Sequence, residues 1–122
     1  MISKDQMMPL LIEACPSFRL SLDEHRQYYG EEITYAVLGD FARHLLQLHY
    51  QPQTDVFSAV AQVIERFYVE GDPYVQEAAT IGLLEGIQNV WGNNDTDPEL
   101  FVPYLLPVSA QWWRSLNDFW SG

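Results

Sequence analysis

Apolar residues along the chain recur at helical spacing, and no run alternates in the period-two manner of a strand. The clearest pattern lies in Asp72–Trp91, DPYVQEAATIGLLEGIQNVW. Asp72 is a good N-cap, and Pro73 takes the first helical position, where its missing N–H leaves nothing unpaired. Val75, Ala79, Gly82, Leu83, Gly86, Ile87 and Val90 then mark one apolar face. Ile81 and Leu84 fall off that face, so the helix reads as apolar in most directions and buried. Its two interior glycines each cost about 1 kcal/mol against alanine, which demands a reason. With Ala78 they form a row of small residues, Ala78, Gly82 and Gly86, where another helix backbone can approach closely. Residues 73–90 are therefore the expected central helix.

The flanking pattern supplies the other elements. Ser3 and Gln6 read as a capping box that opens a helix over Ser3–Cys15, with Pro9 as a kink and Pro16 as its stop. Ser17–Tyr28 is a second helix carrying Phe18, Leu22 and Tyr29 inward, with Gly30 as its C-terminal cap. Glu31–Tyr50 has two acids in its first turn. It places Ile33, Val37, Phe41, Leu45 and Leu48 on a buried stripe and Asp40, Arg43, His44 and Gln47 on a polar one. Thr54 caps a helix over Asp55–Glu70, which Gly71 ends directly ahead of the central one. After the polar loop Gly92–Asp97, Asp97–Pro98 starts a short helix that Pro103 distorts. The last helix, Ser109–Trp120, aligns Trp112, Leu116, Phe119 and Trp120, leaving Trp113 as the tryptophan to show at the surface. The expected fold is all-α: a single domain over residues 1–122 with about seven helices, arranged as an irregular bundle or a short HEAT-like array around residues 73–90.

At 48% hydrophobic and 14% aromatic, the chain carries enough apolar surface to fold. A formal charge of −11 disfavours nucleic acid and anionic membrane as partners, because phosphates are repelled. The same charge suits a basic protein partner, or simply solubility. Cys15 is the lone cysteine, so it forms no internal disulfide and anchors no zinc set. No apolar run approaches the ~20 residues of a membrane span, and the start of the chain lacks a signal-peptide pattern. A reducing cytoplasm is the expected compartment.

Candidate chemistry is sparse. Asp40 and His44 stand four apart on one helical face, a spacing that can hold a metal, but a solvated polar stripe with Asp40–His44 as a minor surface pair is the reading the sequence favours. Asn93, Asp95, Asp97 and Glu99 carry the alternating oxygens that begin a calcium loop. Pro98 and Tyr104, however, occupy the positions where that loop needs glycine and glutamate. Cys15 before a proline reads as a small buried hydrophobe. No phosphate-binding glycine loop, zinc-helix motif or nucleophile elbow is present, so no catalytic, cofactor or metal residue is assigned.

Two resemblances extend this reading. Thr54–Trp91 resembles a HEAT-type helical pair through Asp72, Pro73, Val75, Ala78, Ala79 and Leu83, with Gln76 where such repeats usually carry arginine. The order of ACPSF, LGDFARHL, GDPYVQEAATIGLLEGIQN and YLLPVSAQWWRSLNDFW resembles a family of small acidic bacterial proteins of unassigned function. That resemblance implies a helical fold and an immunity role, binding and neutralising a cognate toxin. The surfaces that suit a partner are Tyr28, Tyr29, Glu31 and Glu32 in HRQYYGEE, the loop acids Asp95, Asp97 and Glu99, and Trp113. The expected function is a non-catalytic protein-binding domain, an inhibitor of a basic toxin or effector. The alternative is an adaptor acting through homo-oligomerisation.

Overall fold

The computed structural model describes residues 1–121. Helix α1 spans Lys4–Ala14 and, after a 3-10 turn at Pro16–Phe18, α2 spans Arg19–Tyr29. Helix α3 spans Thr34–Tyr50 and α4 spans Phe57–Glu70. Helix α5 (Pro73–Glu77), a π-helical segment (Ala78–Leu84) and α6 (Glu85–Asn93) follow end to end as one rod over residues 73–93. A 3-10 helix at Pro98–Tyr104 leads to α7, Pro107–Ser121. Among the described residues there is no strand; the nearest thing is a bridge from Ile2 to Gly71, which ties the start of the chain to the α4–rod junction. The all-α expectation holds, and so does the central helix, with a π segment inside it. No described helix is long and apolar enough to cross a membrane.

Local signals set several boundaries. The Asp72 carboxylate accepts the Val75 N–H at 2.9 Å, with Pro73 beside it at the first position. Gly30 ends α2 at φ 73°, in the left-handed region where a side chain is strained. Gln6 reaches back to accept the Ser3 N–H at 2.9 Å. Two starts differ from expectation. Helix α3 begins at Thr34 rather than Glu31, because Glu32 is held in the loop by Arg26 at 2.7 Å and the Ile33 N–H is taken by His25. Helix α4 begins at Phe57, with Thr54 contributing its backbone carbonyl rather than a side-chain cap.

The rod and α3 run in the same direction and meet along the small-residue row. A methyl group on Gly82 would overlap Leu38 Cδ1 and lie 3.2 Å from Leu38 Cβ, whereas one on Gly86 would sit 3.6 Å from Ala42 Cβ, an ordinary contact. Farther along, the Trp91 indole N–H donates to the Ala42 carbonyl at 3.3 Å, and its ring packs with Phe57 and Phe101.

The π segment has a reason in the sequence. Val75, Ala79, Leu83, Ile87 and Trp91 stand every fourth residue, and all five are fully buried. In a uniform α-helix of 3.6 residues per turn such a row drifts ~40° per step, ~160° over its length. Turns closed by i→i+5 bonds, such as Glu85 N–H to the Thr80 carbonyl, hold more residues and take up much of that drift. Leu84 is buried as well, but Ile81 is 48% exposed, against the expectation of burial on most sides.

Gly82 and Gly86 look alike in the sequence but differ in room. Gly86→Ala should be neutral or raise stability by up to about 1 kcal/mol, the helix-propensity gain. Gly82→Ala should lower it by about 1–2 kcal/mol, since overpacking outweighs that gain. Urea unfolding of the two variants checks this; equal effects would contradict the seam.

Candidate functional site

Helices α2 and α3 enclose a polar cleft of about 340 Å³ that gathers His25, Asp40, Arg43 and His44. Asp40 is already engaged: Arg43 lies 2.6 Å away and His25 Nδ1 3.4 Å. His25 accepts the Ile33 N–H at Nε2, which leaves Nδ1 as the protonated nitrogen facing Asp40. His44 turns away to Ser17, with Nε2 2.7 Å from the hydroxyl oxygen. The Asp40–His44 spacing therefore does not converge on a point. His49 packs against Trp91, and the described residues hold no group of three or more His, Cys, Asp or Glu suited to a metal ion. Ser17 and His44 have the geometry of a hydroxyl and a base. Among the described residues, however, no third group orients His44 from its other nitrogen, as a triad requires. Cys15 lies beside them, 3.6 Å from Ser17 Oγ, and burial pushes its thiol up, away from the reactive thiolate.

The expected partner residues fall at opposite ends of α3. At its N-terminal end, Tyr28 is 82% exposed, Tyr29 is half exposed and packs against the His25 ring at a 41° tilt, Glu31 is free and Glu32 pairs with Arg26. Tyr29 was expected inward; the buried position on that turn belongs to His25. At the C-terminal end, Asp95 is exposed at φ 58° and Asp97 caps the Glu99 N–H at 3.0 Å. Glu99 accepts the Trp113 indole N–H at 2.6 Å and the Asn117 amide at 3.3 Å. The two clusters are separated by the length of α3, about 25 Å at 1.5 Å per residue.

Trp113 is 1% exposed, a correction to its expected surface position; the tryptophans of α7 that show are Trp112 and Trp120, at 47% and 60%. The cause is tertiary. Glu99 provides the indole acceptor, and Glu65 of α4 sets α7 by accepting the Val108 and Ser109 N–H groups and the Ser109 hydroxyl at 2.7–3.1 Å. Burial raises the Glu65 carboxyl, but those three hydrogen bonds outweigh it and hold the group below the usual carboxylate range.

Setting α7 this way opens a second hollow, which sequence reasoning missed. Pro73, Gln76, Glu77, Thr80 and Ile81 on the rod face Trp112 across a groove of about 320 Å³. Trp112 stacks on Tyr68 with rings 6.0 Å apart and 7° from parallel. The Tyr68 hydroxyl is 2.7 Å from the Thr80 hydroxyl oxygen, and burial pushes this phenol up to about 12, so it stays protonated.

The chain matches, over residues 8–121, the family described as Domain of unknown function (DUF7674). It belongs to that family. No curated protein and no solved structure matches it. Membership in DUF7674 brings no residue roles, so the functional reading rests on the surface charge and on the groove beside Trp112.

Burial holds the His44 imidazole below its ordinary value of 6.5. The unfolded chain then takes up this proton at a higher pH than the folded one, so stability falls as pH drops below about 6.5. Urea midpoints measured from pH 7 to pH 5 should decline, and less steeply in His44→Gln. The same slope in both proteins would contradict this assignment.

Proposed function

We propose that this DUF7674 domain is a non-catalytic binding protein that captures a basic partner protein. The role it fits is inhibition of a basic toxin or effector, as an immunity protein does. The observation that carries this reading is the surplus of unpaired acid on the surface. Arg26, Arg43 and Arg66 are neutralised by Glu32, Asp40 and Glu70. Among the described residues, Asp23, Glu24, Glu31, Glu77, Asp95 and Asp118 are exposed and make no ion pair. A field of one sign steers an oppositely charged protein and speeds its association. The pairing of α4 with the rod, joined through Gly71, supports the HEAT-type likeness, and helical arrays of that kind serve as protein-binding surfaces. A reducing cytoplasm is the compartment this reading implies.

The adaptor reading draws on a different observation: Phe119 and Trp120 are 74% and 60% exposed near the end of α7, an aromatic pair open to self-association. Co-expression with the product of the adjacent gene separates the two. Inhibition predicts a stoichiometric complex whose association rate drops about tenfold or more on raising salt from about 50 to 500 mM. A salt-independent rate would count against it, as would a chain that self-associates and takes up no partner.

A further inference from the structure

We propose that the groove between the π segment and α7 is the docking point for a lysine- or arginine-rich partner segment, which inserts one apolar side chain between Ile81 and Trp112. The proposal rests on the basic-partner reading and gives that partner's chemistry and its place. The groove presents apolar surface on a platform that is already held in place. Ile81 and Trp112 are each about half exposed, at 48% and 47%. Trp112 is fixed by its stack on Tyr68, and Tyr68 is fixed by its hydroxyl contact with Thr80 of the π segment. A fixed aromatic wall loses little entropy when a side chain lands on it.

Charge selects the occupant. Glu77 and Glu85 stand four residues before and four after Ile81 on the rod, so acids flank the apolar spot along the helix. Glu77 itself lines the groove, and the half of the chain that supplies the rod and α7 is the more acidic one: residues 67–122 contain eight acids and one base, Arg114. Lys4, which α1 brings to the Pro73 end of the rod, sits over the Tyr74 ring at 5.5 Å. A second copy of this chain, itself at −11, would bring like charge to the same rim, and a phosphate-bearing surface would be repelled in the same way. The complement is a cationic segment with one leucine-sized side chain among its basic residues.

The test uses two fluorescein-labelled lysine-rich peptides, one with a central leucine and a twin with alanine in its place, titrated onto the whole chain by anisotropy. Wild type should bind the leucine peptide about tenfold tighter than its twin, as burial of a leucine side chain implies. Ile81→Ser, at an exposed position, should erase that preference while keeping the helical circular dichroism of the parent. Glu77→Gln with Glu85→Gln should weaken both peptides about equally. Equal affinity of wild type for both peptides, or a preference that survives in Ile81→Ser, would overturn the groove and leave the basic-partner reading standing. Failure of both peptides to bind would overturn the two together.

Discussion

Leu38 of α3 lies against the rod where Gly82 has no side chain, and this contact sets the spacing on which the fold depends. A methyl group there would meet the body of Leu38, not merely its flexible tip. Close approach lets Ala42 face Gly86 and lets the Trp91 indole reach the Ala42 carbonyl. A glycine at position 82 carries a propensity cost in the helix interior, so the packing that Gly82 permits must more than offset it.

The same constraint accounts for the rod's unusual middle. A row of buried residues at every fourth position keeps facing its neighbours only if the helix turns more slowly than an α-helix, and the π segment supplies that slower turn. The consequence on the opposite side is the candidate groove. Thr80 and Ile81 lie within the π segment, where they face Tyr68 and Trp112 rather than the core. The groove is thus a by-product of how the rod meets α3, and the acid around it comes from residues that packing leaves free. Burial of Cys15 and the engagement of Asp40 and Glu99 in local pairs leave the surface with charge and aromatic area as its main resources.

Much of the architecture was legible in local chemistry. Asp72–Pro73, Gly30 and the Ser3–Gln6 pair each mark a boundary through their own backbone preferences, and the small-residue row announced a close helix. Other features depend on partners distant in sequence. Nothing near Trp112 and Trp113 says which one finds Glu99, and nothing near Glu31 says that Arg26 and His25 will hold residues 32–33 out of the helix. The π segment was readable in part, because the spacing of four from Val75 to Trp91 departs from 3.6. A purely α-helical reading instead turned Ile81 inward. The candidate groove escaped because its two walls lie some thirty residues apart and meet only once Glu65 has positioned α7.

Native-state hydrogen exchange, followed residue by residue, tests the central claim most directly. If the glycine seam joins α3 and the rod into one unit, amides of residues 41–48 and 85–91 open together, with the largest free energy in the molecule. Rod amides that exchange earlier than those of α1 and α2, or at a rate separate from α3, would contradict the account.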